Sequence, residues 1–174
     1  MKLKKYFFKK VKSTNDTALR LINLGMQKGI ILTEYQSKGR GQRNNKWISK
    51  KGNLFTSVFF DINKKISLKS IINLNILIIK KIISNKIKSS ITIKKPNDIL
   101  IERKKVCGIL QETIFKNGKK FLIVGIGINL INSPNIIKYK TTFLNNYSKK
   151  KISKIKLFNE IKFNYEKNMN YFRI

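Results

Sequence analysis

Histidine is absent from this chain of 174 residues, and cysteine occurs once, at Cys107. The absence of histidine excludes any mechanism that depends on a histidine base. A single cysteine excludes an intramolecular disulfide and indicates a reducing compartment. Acidic residues are also scarce, with eight against 39 lysines and arginines. The length suits one domain with its own hydrophobic core, so we expect residues 1–174 to form a single domain.

Long apolar segments are missing as well. The most apolar stretch, residues 71–83, contains two asparagines and two lysines, and it is too short and too polar to span a bilayer. The basic N-terminal segment is not followed by the apolar core and cleavage site of a secretory signal. These features predict a soluble cytoplasmic protein.

Positive charge is what the chain has in excess, with a formal net charge of +31 that comes almost entirely from lysine. Lysine, isoleucine and asparagine, whose codons are A/T-rich, are over-used along the whole sequence. A reduced, A/T-biased genome therefore explains the charge without a ligand. A nucleic-acid-binding protein concentrates arginine and aromatic residues on one face. We expect no specific DNA binding and only a weak, salt-sensitive affinity for polyanions.

Hydrophobic periodicity predicts an α+β fold, in which helices flank a central mixed or antiparallel sheet. Ser13 with Asp16 resembles a capping box, and Asn117 with Gly118 forms a two-residue hairpin turn. Residues 103–105 form a charged turn, and residues 132–151 form a connector. The predicted helices are 13–28, 68–83 and 155–172, and the predicted strands are 4–11, 29–35, 55–62, 91–93, 99–101, 106–115 and 119–128.

The segment GRGQRNNKW, at residues 39–47, is the strongest functional indication in the chain. It joins two apolar strands, but two glycines, two arginines and a lysine close a hairpin poorly. Glycines let backbone N–H groups point at a phosphate, and arginines provide planar forks for a phosphate or a carboxylate. This loop therefore predicts an anion site.

Three other segments have both a structural and a functional interpretation. Ser13 and Thr14 can be helix caps or ligand contacts. Gly125 and Gly127 alternate in a strand, which can mean only that a neighbouring element packs closely. Residues 94–108 contain the turn composition at 96–98, Lys104 and Lys105 in a charged turn, and Cys107, which can be a small apolar side chain. The functional interpretation depends on their joint presence and order.

In this order, the segments resemble those of the biotin–protein ligase family. STN at 13–15 is similar to its biotin-contacting helix start, and YQSKGRGQRNNKW at 35–47 to its glycine-rich adenylate loop. KKPNDILIERKKVCGIL at 94–110 is similar to its Lys-Trp-Pro-Asn-Asp segment and the following Lys-x-x-Gly-Ile-Leu. GIGINL at 125–130 resembles its Gly-x-Gly-x-Asn strand end. The resemblance implies the biotin/lipoate ligase fold, which is similar to that of class II synthetases.

Departures from the family pattern are also present. Lys95 stands where the family has tryptophan, Asn44 replaces the third loop glycine, and Gln42 stands where some members have a further arginine. Compared with the family, we expect a catalytic domain without the N-terminal DNA-binding module and without the small C-terminal β-barrel.

The resemblance implies a two-step reaction in the cytoplasm. Biotin is activated by ATP, with Mg²⁺, to biotinyl-5′-AMP, and biotin is then transferred to a lysine of a biotin carboxyl carrier domain. Lys105 and Arg40 are the expected catalytic cations, with Lys104 and Arg43 as weaker candidates. No protein ligand to a metal is assigned, no membrane partner is expected, and relatives can pair as homodimers.

The resemblance also implies which residues bind each substrate. The expected biotin-binding residues are Ser13, Thr14, Asn15, Gln36, Gly39, Arg40, Lys105 and Gly108. The expected ATP- and adenylate-binding residues are Gly41, Gln42, Arg43, Trp47, Lys94, Asn97, Asp98 and Asn129.

Two alternatives remain open at this point. One is a lipoate or octanoate ligase or transferase, although the GRGQR loop and the Lys-x-x-Gly-Ile-Leu spacing favour biotin. The other is a degenerate, non-catalytic domain that binds a ligand or a polyanion.

Overall fold

A computed structural model describes residues 2–173 of the chain. Its centre is a seven-stranded mixed sheet in the order β1-β2-β3-β7-β6-β5-β4. The β1 and β2 strands are parallel, and every other neighbouring pair is antiparallel. The strands are β1 (Lys4–Val11), β2 (Lys28–Gln36), β3 (Leu54–Ile62), β4 (Ile91–Lys94), β5 (Asp98–Ile101), β6 (Lys104–Lys116) and β7 (Lys119–Ile128). The helices are α1 (Thr14–Asn23), α2 (Leu68–Ser84) and α3 (Lys154–Asn168). The predicted α+β class with a mixed sheet is confirmed.

Helices cover both faces of the sheet. Val58 and Phe60 of β3 pack with α2 and α3 in the larger core cluster, whereas Phe59 packs with Ala18 and Ile22 of α1 in a smaller one. Since successive strand residues point to opposite faces, α1 lies on one face and the α2–α3 pair on the other. This arrangement explains why β3 is buried at both odd and even positions.

The first helix is shorter than predicted. It ends at Asn23, because Gly25 adopts a φ of +89° and the chain then turns into β2 at Lys28. The predicted capping box is present only in part. The Ser13 hydroxyl accepts a hydrogen bond from the Asp16 N–H at 3.4 Å, but the Asp16 carboxylate contacts Arg40 instead of returning to the helix start.

The predicted charged turn at 103–105 is misplaced: the turn is at residues 102 and 103, so its start is wrong by one position and its end by two. Glu102 and Arg103 both have positive φ, 48° and 64°, which is the geometry of a two-residue hairpin turn. The β6 strand therefore begins at Lys104, and Lys105 pairs with Leu100 inside the sheet. The predicted turn at Asn117 and Gly118 is confirmed, with φ values of 47° and 70°.

The C-terminal helix has the predicted buried positions. Leu157, Phe158, Ile161 and Tyr165 are buried on α3, and the chain continues into a short 3₁₀ turn, Met169–Phe172. The predicted connector contains a 3₁₀ turn at Leu144–Asn146. No helix within residues 2–173 is long and apolar enough to cross a membrane.

Candidate active-site cleft

A cleft of about 810 Å³ opens on the α1 face of the sheet. Its walls are the start of α1, the glycine-rich loop, the β4–β5 turn and part of the connector, and its floor is formed by β6 and β7. Gly108, Leu110, Gly125 and Gly127 supply the floor. Because glycines replace the large side chains that fill the rest of this face, the sheet is left open here.

Two of these glycines form a slot that holds the indole of Trp47. Gly108 and Gly127 are direct cross-strand partners. A Cβ atom at Gly108 would lie 2.7 Å from Trp47 Cζ3, and one at Gly127 would lie 2.5 Å from Trp47 Cε2. The indole therefore lies against bare backbone, and only glycine permits that approach at either position.

The third floor glycine gives space to Asn15, since a Cβ at Gly125 would clash with its Oδ1 atom. Asn15 is 3% exposed, and its amide is held on both sides. Its Oδ1 accepts a hydrogen bond from the Ser57 hydroxyl at 2.6 Å. Its Nδ2 donates to the Leu110 carbonyl at 3.3 Å and to Glu112 Oε2 at 2.7 Å. The orientation of Asn15 is thus fixed before any ligand arrives.

Gln36 and Thr14 form the second polar pair of this end of the cleft. Gln36 Oε1 accepts hydrogen bonds from the Thr14 N–H at 2.8 Å and from the Thr14 hydroxyl at 3.1 Å. Its Nε2 donates to the Ser49 hydroxyl at 3.2 Å. With Ser13 and Asn15, these residues make a polar pocket at the N-terminus of α1.

Lys105 lines the cleft, with its side chain 17% exposed. Its Nζ is 2.9 Å from Asp98 Oδ1, although that oxygen makes no aligned hydrogen bond, so the contact is one of charge. The ammonium also lies 5.5 Å from the ring centroid of Trp47 and 5.3 Å from that of Tyr139. Two aromatic faces and one carboxylate therefore enclose this cation.

The connector is attached to the backbone of Lys105 itself. The Lys105 N–H donates to the Lys140 carbonyl, and the Thr142 N–H donates to the Lys105 carbonyl, both at 2.9 Å. Asn129 strengthens this attachment, because its Nδ2 donates to the Thr142 carbonyl at 3.1 Å. These bonds bring Tyr139 to the cleft.

Arg40 anchors the glycine-rich loop. Its two terminal nitrogens contact Asp16 Oδ1 and Glu112 Oε1, each at 2.5 Å. Burial alone would lower the pKa of this guanidinium, but the hydrogen bonds and charges of Glu112 and Asp16 outweigh it and raise the pKa. Arg40 is therefore a permanent cation that is already paired with two carboxylates.

The mouth of the cleft carries further positive charge. Besides Arg40 and Lys105, seven cations line it: Arg43, Lys46, Lys94, Lys95, Arg103, Lys138 and Lys140. Within residues 2–173, none of these seven forms an ion pair, and Asp98 is the one carboxylate in the lining. The cleft therefore suits a ligand with several negative charges.

The structure brings most of the predicted site residues to this cleft. They are Ser13, Thr14, Asn15, Gln36, Arg40, Gly41, Gln42, Arg43, Trp47, Lys94, Asn97, Asp98, Lys105 and Gly108. Gly39 and Asn129 are outside its lining, and the weaker candidate Lys104 lines a separate, smaller hollow. At Gly39 a Cβ would lie 2.5 Å from the Trp47 carbonyl oxygen, so this glycine lets the loop fold back on itself.

Sequence reasoning missed Glu112, Asp16, Tyr139 and Ser57. Glu112 could have been found, since it lies an even number of residues after Gly108 and thus on the same face of β6. Tyr139 could not, because it lies in the connector and reaches the cleft only through the pairing with Lys105.

Thiol chemistry, and a metal ion held by protein side chains alone, have little support in this cleft. Burial raises the pKa of the Cys107 thiol, with a further contribution from the Asp98 charge, so Cys107 stays a neutral core residue. Within residues 2–173, no group of three acidic or cysteine side chains could hold a metal ion.

The mixed sheet with its flanking helices matches the fold of a biotin protein ligase catalytic domain, and its cleft combines a glycine-rich basic loop with a partly buried lysine. The chain belongs to the biotin/lipoate A/B protein ligase family, whose model matches residues 7–129.

Curated relatives share this region. The chain is 32% identical over 127 residues to the bifunctional ligase/repressor BirA of Escherichia coli K12, covering 69% of this chain and 38% of that protein. It is 33% identical over 129 residues to BirA of Bacillus subtilis, covering 71% and 39%. The chain thus spans about two-fifths of the length of these relatives.

Solved structures share the fold. The biotin protein ligase of Aquifex aeolicus in complex with biotin and ATP matches with a TM-score of 0.81 and 27% identity, covering 98% of this chain and 72% of that one. LipL1 of P. falciparum in complex with lipoate matches with a TM-score of 0.68 and 14% identity, covering 96% and 63%. The second likeness concerns the fold alone.

Proposed function

We propose that this protein activates biotin with ATP, forming biotinyl-5′-AMP and pyrophosphate, and transfers biotin to a lysine of a biotin carboxyl carrier domain. The observation that carries the proposal is that one cleft is lined by Lys105, by the polar pocket at α1 and by seven further cations. The Aquifex aeolicus neighbour, which binds biotin and ATP, supports the same pair of substrates.

The polar pocket suits the ureido group of biotin. Both N–H donors of Asn15 are used within the protein. Its Oδ1 accepts one hydrogen bond, from Ser57, so it can accept one more, from a ligand N–H. Gln36 uses its Nε2 in one bond, to Ser49, which leaves one N–H for a ligand carbonyl. Pairing of this kind rejects an acid that lacks the ureido group.

The adenylation step needs fixed positive charge, because a carboxylate must approach a phosphate. Two unit charges 4 Å apart repel by about 1 kcal/mol in water and about 4 kcal/mol at an effective dielectric of 20. We assign Lys105 to bridge the biotin carboxylate and the α-phosphate. The carboxylate oxygen then forms a bond to the α-phosphorus, and pyrophosphate leaves with the electrons of the broken bond.

The cationic mouth suits the triphosphate. Arg43, Lys46 and Lys94 carry charges that no carboxylate neutralises within residues 2–173, and the N–H of Gly41 adds a fixed dipole only if it leaves the Asn45 carbonyl. Stacking of Trp47 on adenine requires its indole to leave the slot at Gly108 and Gly127. Asn97 supports this wall by donating to the Ile109 carbonyl at 3.0 Å.

Among the described residues, Asp98 is the one carboxylate in the cleft lining, and it faces Lys105. One carboxylate does not form a metal site by itself, so this donor set fits magnesium that arrives already bound to the ATP phosphates. Magnesium would neutralise phosphate charge.

In the transfer step, the carrier lysine amine attacks the carbonyl carbon of the mixed anhydride, the acyl–oxygen bond breaks, and AMP leaves.

Pyrophosphate release tests this function. We expect release that depends on biotin in the wild type and falls about 100-fold or more in Lys105→Ala, since removing one fixed stabilising group commonly costs this much. Lys104→Ala is the matched control, because Lys104 is the neighbouring lysine outside the cleft lining, and it should retain activity within about threefold.

The same assay separates the alternatives. Release with lipoate or octanoate but not with biotin would move the protein to the lipoate branch of the family. No release with any of the three acids would contradict the ligase function and leave a non-catalytic binding domain. Transfer of labelled biotin to a carrier domain then tests the second step.

A further inference from the structure

Glu112 connects the polar pocket to the glycine-rich loop. Its Oε2 accepts a hydrogen bond from Asn15 at 2.7 Å, and its Oε1 accepts one from Arg40 at 2.5 Å. It lies on β6, on the same face as Gly108 and Leu110. One carboxylate thus holds a pocket residue with one oxygen and a loop residue with the other.

The contact with Arg40 is the hydrogen-bonded attachment of the loop tip, residues 39–47, whose Trp47 indole also lies in the slot at Gly108 and Gly127. At its base, the loop is held by the Ser37 and Lys38 N–H groups, which donate to the carbonyls of Val11 and Lys12. Within the described part of residues 39–47, the remaining hydrogen bonds are internal to the loop. Arg40 therefore makes the hydrogen bonds that join the tip to the domain.

The balance of charges around Arg40 also indicates that this residue holds the loop in place. Its single positive charge faces two carboxylates, Asp16 and Glu112, so this group of three has a net charge of −1 and does not attract a phosphate strongly. Charge-assisted bonds of this kind are stronger than neutral ones. The geometry is that of a clasp, and the unpaired cations of the mouth are better placed to meet ATP.

We propose that Glu112 is a positioning residue that couples occupancy of the pocket to the position of the loop. A ligand that bonds to Asn15 acts on Glu112, and Glu112 acts on Arg40 and the loop. This inference rests on the proposed function for the identity of the ligand, but the clasp itself exists without any ligand. Glu112 touches no reacting atom and acts only through Asn15 and Arg40.

The test uses three variants of the full chain. Glu112→Gln preserves the shape of the side chain but replaces the charged acceptor of Arg40. Asp16→Asn weakens the second ion pair of Arg40, the one with Asp16, and leaves every hydrogen bond of Asn15 unchanged. Glu160→Gln is the matched control, because Glu160 is also ion-paired and its side chain has the same 30% exposure as that of Glu112.

The first measurement is the rate of tryptic cleavage after Arg43 and Lys46 in the protein without ligands, read by mass spectrometry. We expect cleavage about fivefold faster or more in Glu112→Gln, a smaller increase in Asp16→Asn, and no change in Glu160→Gln, because charged bonds tether the tip. This measurement is independent of ligase activity.

The second measurement is the steady-state rate of pyrophosphate release. We expect Glu112→Gln to raise KM for biotin about tenfold and to change kcat by less than about threefold, since the residue orients the pocket before chemistry. Addition of biotin should slow loop cleavage in the wild type and should slow it less in Glu112→Gln. A purely structural role would lower the amount of folded protein without this split.

The outcomes separate this proposal from the proposed function. Wild-type cleavage rates in Glu112→Gln, or equal acceleration in Glu160→Gln, would overturn the clasp. Faster cleavage in a protein whose wild type releases no pyrophosphate would support the clasp and contradict only the ligase function. If Glu112→Gln does not fold, Arg40→Gln removes the same contact from the loop side and must give the same acceleration for the proposal to stand.

Discussion

Lys105 shows how one side chain depends on parts of the chain that are distant in sequence. Its ammonium faces Asp98 of β5, Trp47 of the loop and Tyr139 of the connector. Its backbone is paired with β5 and the connector, so the base of the side chain cannot shift. A cation fixed in this way stabilises developing charge without having to reorganise.

At the same scale, Gly127→Ala tests the slot below Trp47. The new Cβ would lie 2.5 Å from the indole, so we expect the ring to move out, at a cost of about 1–3 kcal/mol from overpacking. Because Trp47 is the one tryptophan of the chain, its fluorescence emission should shift to longer wavelength.

Gly118→Ala provides the control for that substitution. Its added Cβ would meet nothing within 4 Å, but its φ of 70° makes alanine unfavourable by about 1–2 kcal/mol. We expect lower stability with unchanged Trp47 emission. An unchanged emission in Gly127→Ala as well would show that the indole does not lie in the slot.

The helices on the far face are joined by one buried polar contact. Tyr165 of α3 donates its hydroxyl to Asn75 Oδ1 of α2 at 2.7 Å, and both residues are 0% exposed. The hydrophobic spacing of the two helices predicts that they are buried, but not which of their turns are in contact. The buried amide of Asn75 specifies this, because a buried polar group needs a hydrogen-bond partner.

We therefore expect Tyr165→Phe to destabilise the protein by about 1–3 kcal/mol, since Asn75 is left with an unsatisfied buried acceptor. Urea denaturation followed by circular dichroism measures this change. Tyr171→Phe is the matched control, because Tyr171 is 60% exposed, and it should change stability by less than about 0.5 kcal/mol. Equal effects of both substitutions would argue against the Asn75 contact.

At the scale of the whole molecule, the net charge of +31 acts in addition to the site. Counterion release makes the binding of such a protein to any polyanion depend steeply on salt. We expect weak binding to single-stranded DNA and to heparin alike, losing about tenfold or more in affinity between 50 and 200 mM salt. Fluorescence anisotropy at several salt concentrations measures it.

A contrary result would be informative at this scale too. Tight binding to one DNA sequence that persists at about 200 mM salt would mean base contacts in addition to phosphate contacts. A biased genome composition would then no longer be a sufficient explanation for the excess of lysine. Uncharged dextran serves as the control polymer.

The sequence by itself determined a central sheet with flanking helices and the position of most elements, and most of the site residues that it predicted line one cleft. It could do so because periodicity fixes which side of a strand or helix is buried, and because the glycine-rich loop and the Pro-Asn-Asp segment carry their chemistry in consecutive residues. Its errors were local: α1 was predicted too long, and the turn before β6 was misplaced. Glu102 and Arg103 have the left-handed φ of a tight turn, but neither is a glycine, so no glycine marks this turn in the sequence.

Only the tertiary structure decided the pairing of charges inside the cleft. Glu112 and Arg40 are 72 positions apart in sequence, and no local pattern states that they meet. The pairing of the connector with Lys105 likewise depends on Asn129 and on the end of the sheet. A long-range contact is fixed by the packing of whole elements, so which cations are already neutralised, and which remain to meet a ligand, follows from the fold and not from the order of residues.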